Sequence, residues 1–225
     1  HHPSPSLDWQ VPDWHGVPTA GYYGVKHACA PVQLIYDYGS GEIVAVNDAV
    51  PTAAYRAEIL FYGADSKLVK RENRDFVSNP RQPVKLGTLP KAVPGFLSLV
   101  LKNPEGEVVA RNFYCIPARN TEHDWAHSDW WGIPILSYAD LSFVSALPKA
   151  DIQVTSTPVE GGVRVTLANH SDVVSYQIIL KATTADGELA AGPVWEDNFI
   201  SLLPGETRTV FCRAEGVSVT VDSWN

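Results

Sequence analysis

The chain has 225 residues, of which 45% are hydrophobic and 19% charged, a balance that is typical of a folded globular protein and excludes a disordered one. Its formal net charge of −8, without a cluster of lysines and arginines, argues against a nucleic-acid partner. No apolar run approaches the roughly 20 residues that span a bilayer, so we expect no membrane partner either.

The first 30 residues are predicted to combine an extended or irregular segment with a short helix. The opening HHPSPSLDW has neither the basic nor the apolar region of a signal peptide, so we expect none. Residues 21–30, GYYGVKHACA, are predicted to be helical and to stop at Pro31, because a proline disfavours helical backbone in the residue before it.

Residues 31–117 are predicted to form an immunoglobulin-like β-sandwich. Short alternating stretches recur at intervals of roughly ten residues and are separated by turn residues, as such a sandwich requires. Strands are predicted near 32–38, 42–47, 54–62, 67–77, 83–88, 95–103 and 107–115. No crossover helices separate them, which excludes a parallel α/β sheet.

Residues 118–149 form a long tryptophan-rich stretch without a clear period. Loops of this length are uncommon inside a domain, so we predict a connection that packs onto both neighbouring units. His123 and His127 have the spacing that would place both imidazoles on one face of a helix, with Asp124 beside them. The segment is loop-like and offers no evident third ligand, so we predict neither a metal site nor a cofactor.

Residues 150–225 are predicted to form a second sandwich, with strands near 151–157, 162–169, 174–183, 194–202, 206–214 and 216–223. Within it, Leu203-Pro204-Gly205-Glu206-Thr207 has the residues of a tight turn, because proline presets φ and glycine accepts a positive φ. Residues 43–70 also match residues 163–190 in pattern, which indicates two similar β-units. The predicted class is all-β: two tandem immunoglobulin-like sandwiches after an irregular and helical N-terminal segment.

The cysteines and one pair of adjacent carboxylates are interpreted as structural and not catalytic. Cys29, Cys115 and Cys212 lie in apolar stretches without CxxC spacing, so we predict buried thiols without disulfides. Glu196 and Asp197 are adjacent carboxylates on a predicted strand, where neighbouring side chains point to opposite faces. They are therefore not expected to act together as an acid and base.

Four segments carry a resemblance to a known family. They are GYYGVKHACAPV (21–32), DWWGIPILSYADL (129–141), PVWEDNFISLLPGETRTV (193–210) and VTVDSWN (219–225). In order and over essentially the whole chain, they resemble the C-terminal part of glycoside hydrolase family 2 enzymes, in the exo-β-D-glucosaminidase and β-mannosidase-like subgroup.

The resemblance implies a domain organisation. Residues 1–30 would be the remnant of the last strand and helix of a catalytic (β/α)8 barrel, followed by a sandwich (31–117), the connection (118–149) and a second sandwich (150–225). Residues 1–20 would then run over the first sandwich, and the barrel would be the partner of this chain. The usual substrates of the family imply a secreted or periplasmic location.

The resemblance also implies that this chain has no catalytic residue. Retaining family members need two carboxyl groups about 5 Å apart, and the family's acid/base glutamate follows an asparagine. The sequence contains no Asn-Glu dipeptide. We therefore expect a noncatalytic module that supports the barrel and contributes to its substrate entrance.

The aromatic residues outside the predicted strands suggest an alternative function, the binding of a polysaccharide or oligosaccharide. Flat rings suit the apolar face of a pyranose, whereas the competing interpretation is core and interface packing. The candidates are Trp9, Trp14, Tyr22, Tyr23, Trp130 and Trp131. By resemblance, Trp9 and Trp14 would lie near the active site, while Trp130 and Trp131 would pack between the sandwiches. An immunoglobulin-like protein-interaction domain is a further alternative.

Overall fold

The computed structural model describes residues 11–13, 16–48, 50–89, 93–190 and 192–225. Two units of antiparallel sheet make up this part of the chain. One unit is Ala30–Leu147, and the other is Pro148–Asn225 together with the described residues before Ala30. The predicted class, all-β with two immunoglobulin-like sandwiches, is confirmed.

The first unit contains all seven of its predicted strands, arranged in two sheets. In chain order they are β1 (Val32–Tyr36), β2 (Glu42–Asn47), β3 (Ala53–Gly63), β4 (Leu68–Ser78), β5 (Val84–Thr88), β6 (Gly95–Lys102) and β7 (Val108–Ile116). The strand orders are β1-β2-β5 and β4-β3-β6-β7, and every neighbouring pair is antiparallel.

Alternation along the central strands builds the core of the first unit. Ile59 and Phe61 of β3 pack with Leu97 and Leu99 of β6, and all four side chains are almost completely buried. Burying a side chain of this size contributes about 1.5–3 kcal/mol relative to leaving it in water. The apolar residues at every second position, from which these strands were predicted, are therefore also the ones whose burial stabilises the unit.

The stretch after β7 folds onto the first unit. It contains β8 (Glu122–His123) and β9 (Ile135–Ser137), with 3-10 turns at Trp125–His127 and Ser142–Ala146. The ring centroid of Phe143 lies 5.4 Å from that of Phe96, and Val144 is buried. Residues 118–147 thus belong with the first unit.

The second unit has a four-stranded and a three-stranded sheet. Its strands are β10 (Ile152–Val159), β11 (Gly162–Asn169), β12 (Ser175–Thr183), β13 (Val194–Trp195), β14 (Ile200–Leu202), β15 (Thr207–Arg213) and β16 (Ser218–Asp222). The strand orders are β10-β11-β15-β13 and β14-β12-β16. The predicted turn before β15 is present, with Gly205 at a φ of 72° and the amide of Glu206 bonded to the carbonyl of Leu203.

The predicted N-terminal helix is present, and it packs into the second unit. Helix α1 spans Ala20–Ala28, and Tyr23 lies 2% exposed in the core of the second unit beside Val165 and Leu180. Burial raises the pKa of Tyr23 to about 12. The expectation that the preceding segment runs over the first sandwich is wrong for the described residues, because Val17 and Pro18 line a groove with Leu180.

One predicted strand is in fact two. Residues 194–202 begin as β13, which pairs with β15, and end as β14, which pairs with β12 in the other sheet. The crossing residues include Phe199 at a φ of 53°. The buried Asn198 side chain accepts a hydrogen bond from the amide of Leu180 at 2.7 Å and donates one to its carbonyl at 2.8 Å. The side chain of Asn198 therefore replaces the strand-to-strand backbone hydrogen bonds of Leu180 at the point where the chain crosses between the sheets.

The similarity between residues 43–70 and 163–190 has a structural counterpart. Asn47 and Asn169 are buried at the ends of the second strand of each unit. The side chain of Asn47 bonds to both the amide and the carbonyl of Val50. The side chain of Asn169 likewise donates to the carbonyl of Val173, at 2.8 Å. Each asparagine thus fixes the loop that leads to the next strand.

The cysteines match the prediction only in part. None of the three forms a disulfide. Cys212 is buried, and burial raises its pKa to about 11, as expected for an inert core thiol. Cys29 is exposed, so the prediction of burial is wrong there, because α1 places this position on its solvent side at the helix end.

Candidate functional site

The most exposed aromatic side chains of the described structure lie on one hairpin, residues 122–138, here called the aromatic arm. Trp130 is 83% exposed, Trp131 75%, Tyr138 73% and Trp125 68%. The ring centroids of Trp130 and Trp131 are 4.2 Å apart, with 31° between the ring planes. The arm thus presents a paired indole surface to solvent.

Hydrogen bonds within the arm hold its tip in one conformation. The carboxylate of Asp129 accepts from the amides of Trp131 at 2.8 Å and Gly132 at 3.0 Å. The amide of Asp129 donates back to the carbonyl of Gly132 at 3.0 Å. Further along, the amide of Asp124 donates to the carbonyl of Pro134 at 2.8 Å. The exposed indoles are therefore carried by an ordered turn.

The base of the arm is tied to the first sandwich. The side-chain amide of Asn120 donates to the carbonyl of Tyr38 at 2.9 Å, and the amide of Asp140 donates to the carbonyl of Arg119 at 2.9 Å. Hydrogen bonds from Ser142 lower the pKa of the Asp140 carboxyl. The arm consequently projects from a fixed support.

The histidines of the arm have a structural role. Asp124 lies 2.7 Å from Nδ1 of His127 and also accepts from the amide of that residue, which closes the 3-10 turn. His123 lies against the ring of Trp125, with the centroids 5.6 Å apart. Within the described ranges, no group of three or more His, Cys, Asp or Glu residues is arranged to hold a metal ion.

The structure separates the sequence-predicted aromatic candidates. Trp9 and Trp14 lie outside the described residues. Tyr23 is buried in the second core and offers no open ring face to a sugar, and Tyr22 is partly buried against that core. Of the six candidates, the structure thus places only Trp130 and Trp131 together on an open surface.

The tryptophans and Tyr138 differ in how far their side chains are exposed to solvent. Trp130 and Trp131 are not part of the core of the first unit. Trp195 is buried in the second core, whereas Trp224 is 61% exposed. Trp125, which also lies outside the predicted strands, belongs to the exposed set as well. Tyr138 belongs to it but was not a candidate, although its position shortly after the Asp-Trp-Trp-Gly turn could have indicated it.

The adjacent carboxylates Glu196 and Asp197 have separate structural roles. Asp197 is buried, lies 3.0 Å from Nε2 of His27 and forms an ion pair with Arg208. Glu196 is exposed, and its carboxylate accepts from the amide of Phe211 at 3.2 Å. As predicted, the two groups do not converge on one point.

Asp197 connects α1 to the second sandwich electrostatically. Burial alone would raise the pKa of Asp197, but the hydrogen bond from His27 and the charges of Arg208 and His27 outweigh it, so the pKa is lowered. Nearby, the Lys26 ammonium donates to the carbonyl of Glu196 at 2.6 Å. These contacts fix the helix in place and do not resemble a reaction centre.

In the part of the chain that the structure describes, no helix is long and apolar enough to cross a membrane.

Comparisons with known proteins relate the chain to one group of enzymes. Residues 130–225 match the family model of the exo-β-D-glucosaminidase Ig-fold domain. The exo-β-D-glucosaminidase of Arthroderma benhamiae is 31% identical over 210 residues, which cover 90% of this chain and 24% of that protein. Its counterpart from Streptomyces avermitilis is 28% identical over 242 residues, covering 98% of this chain and 27% of that protein. The chain thus spans about a quarter of the length of these relatives.

Solved structures share the fold. The exo-chitosanase CsxA of Amycolatopsis orientalis has a TM-score of 0.84 at 23% identity, over 96% of this chain and 28% of that one. A β-D-mannosidase from Dictyoglomus thermophilum has a TM-score of 0.65 at 18% identity, over 96% of this chain and 24% of that one.

Proposed function

We propose that the chain, whose residues 130–225 match the family model of the exo-β-D-glucosaminidase Ig-fold domain, is a noncatalytic accessory module of such an enzyme, a family 2 glycoside hydrolase. The observation that carries the proposal is the share of each protein that the alignments cover. Nearly the whole chain aligns with relatives that are about four times longer. The remaining three quarters of such an enzyme are where we place the catalytic (β/α)8 barrel, which this module would support at its substrate entrance.

The chemistry of the carboxylates supports a noncatalytic role. A retaining glycosidase needs two carboxyl groups about 5 Å apart, facing one glycosidic bond. The adjacent pair in this chain is divided between a buried ion pair and an exposed backbone contact. We assign no catalytic residue to the chain, and the sugar that the enzyme would cleave is determined outside it.

The proposal is tested with chromogenic β-glucosaminide, β-mannoside and β-galactoside substrates. We expect the isolated chain to release no more chromophore than buffer does, because we assign it no catalytic carboxyl pair. The exo-β-D-glucosaminidase of Arthroderma benhamiae, assayed on the β-glucosaminide under the same conditions, is the positive control. Turnover by the isolated chain would refute the noncatalytic assignment.

The exposed indole pair favours carbohydrate binding as a second candidate function. Two neighbouring rings could stack on successive sugar units of a polysaccharide. In that case a glucosamine oligomer would quench or shift tryptophan fluorescence on titration, and the Trp130→Ala variant would lose the response. An unchanged spectrum at millimolar oligomer would count against this function.

A further inference from the structure

The aromatic arm is the part of the described structure where large apolar side chains gather in solvent. Besides its four aromatic residues, it exposes three aliphatic ones: Ile133, Ile135 and Leu136. Scattered exposed hydrophobic residues are normal, but a concentration of seven on one hairpin marks an interaction surface. The ordered backbone beneath it means that little conformational freedom is lost on binding.

The polar groups of the arm favour a protein partner over a sugar. Sugar sites use hydrogen-bonding side chains beside the stacking ring, yet Asp124 and Asp129 are bonded to the arm's own groups. The aliphatic side chains of Ile133 and Leu136 offer no flat face for a pyranose. The aromatic and aliphatic side chains at the tip and on the returning strand instead match the core of a protein interface, and the exposed Glu122 and His123 at the base match its polar rim.

The comparisons indicate which protein the partner is. The chain accounts for about a quarter of its relatives, so an accessory module of this family would have most of the enzyme as a neighbour on the same polypeptide. The family match begins at Trp130, so the tip and the returning strand of the arm are part of the family's domain and not a linker.

We propose that the aromatic arm is the face by which this module docks onto the catalytic barrel of the same polypeptide, with Trp130 and Trp131 as the anchors. The inference rests on the proposed function and adds to it the surface and its principal residues. Interface energy concentrates in a few well-packed side chains, and tryptophan is prominent among them. Trp130 and Trp131, which stack on each other at the arm's tip, are side chains of this kind.

The test compares hydrogen exchange in the full-length polypeptide and in the 225-residue chain alone. Peptides that cover residues 122–138 are followed by mass spectrometry. We expect exchange in the full-length polypeptide to be slower by about tenfold or more, because docking covers the arm and suppresses its opening. Peptides from β6, which lies in the first core, should exchange alike in both.

Variants identify the anchors. In the full-length polypeptide, the double variant Trp130→Ala/Trp131→Ala should return exchange in the arm to the rate of the isolated chain. Leu136→Asp should do the same by placing a charge in the interface. All three positions are exposed in the chain alone, so neither variant threatens its fold. Trp224→Ala, at an exposed tryptophan outside the arm, is the matched control and should keep the protection.

Three results would overturn the docking inference. The first is equal exchange of the arm in both proteins when the full-length polypeptide has a barrel and cleaves β-glucosaminides. The second is protection of the isolated arm by a glucosamine oligomer with no added protection in the full-length polypeptide. The third is a light-scattering mass of twice 24.6 kDa for the isolated chain that falls to one copy in the double variant. A full-length polypeptide without a barrel would instead refute the proposed function itself.

Discussion

Asp197 shows how one buried carboxylate can decide where a distant helix lies. Its two oxygens connect His27 of α1 and Arg208 of β15, and its side chain is 7% exposed. A charge buried to this extent is tolerated only when it is paired. The acidic residue that first suggested chemistry is therefore part of the packing of the second unit.

Replacing Asp197 by Asn should destabilise the second unit by about 3 kcal/mol at pH 7, because the change leaves Arg208 without its buried partner. The free energy of unfolding would be obtained from the urea dependence of amide exchange in β11. Asp222→Asn is the matched control, since the Lys181–Asp222 pair is exposed, and it should change stability by about 0.5 kcal/mol or less.

The stability that Asp197 contributes should depend on pH. The folded pKa of Asp197 lies below its unfolded value of about 4, so its contribution is fully present above that pH and is lost as the pH falls through the folded pKa. The stability difference between the wild type and Asp197→Asn should hence shrink as the pH falls below 4. A difference that kept growing below pH 4 would contradict the assignment.

Residue type alone could not rank the aromatic candidates. Tyr22 and Tyr23 resemble Trp130 and Trp131 in the sequence, since each pair is adjacent and lies outside a predicted strand. Only the contact of Tyr23 with strands more than a hundred positions later distinguishes a core residue from a surface one. That contact depends on the tertiary fold, which local pattern does not report.

At the level of elements, the strands were predictable because their period of two is the packing pattern itself. β3 and β11 each place every second side chain in a core. The turn at Pro204-Gly205 was predictable for the same kind of reason, since its φ values demand those residues. The division of residues 194–202 into two strands was not, because it depends on a side-chain bond between Asn198 and Leu180.

Asn198→Ala should therefore destabilise the second unit more than its small loss of volume suggests. The change leaves the amide and the carbonyl of Leu180 buried without those partners, which costs about 3 kcal/mol in total. Asn73→Ala, at an exposed position of β4, is the control and should stay within about 0.5 kcal/mol of the wild type. Equal stabilities of the two variants in urea denaturation would show that Asn198 is not needed at the crossing.

The whole molecule is organised differently from its linear order. The second unit is completed by residues that precede the first unit, so the first sandwich is an insertion in the sequence of the second. Sequence patterns located both sandwiches and the helix but did not show which sandwich the helix packs on. The helix packs on the second sandwich because the core of that sandwich supplies the apolar surface that buries Tyr23.

This organisation predicts that a substitution before residue 30 weakens only the C-terminal sandwich. Tyr23→Ala removes a ring that is 2% exposed among Val165, Leu180 and their neighbours, and a loss of this kind costs about 3–5 kcal/mol. Amides of β11 should lose protection from hydrogen exchange, while amides of β6 keep it. Tyr138→Ala, at a position 73% exposed, is the control and should alter neither strand. Loss of protection in β6 alone would mean that α1 belongs to the first sandwich.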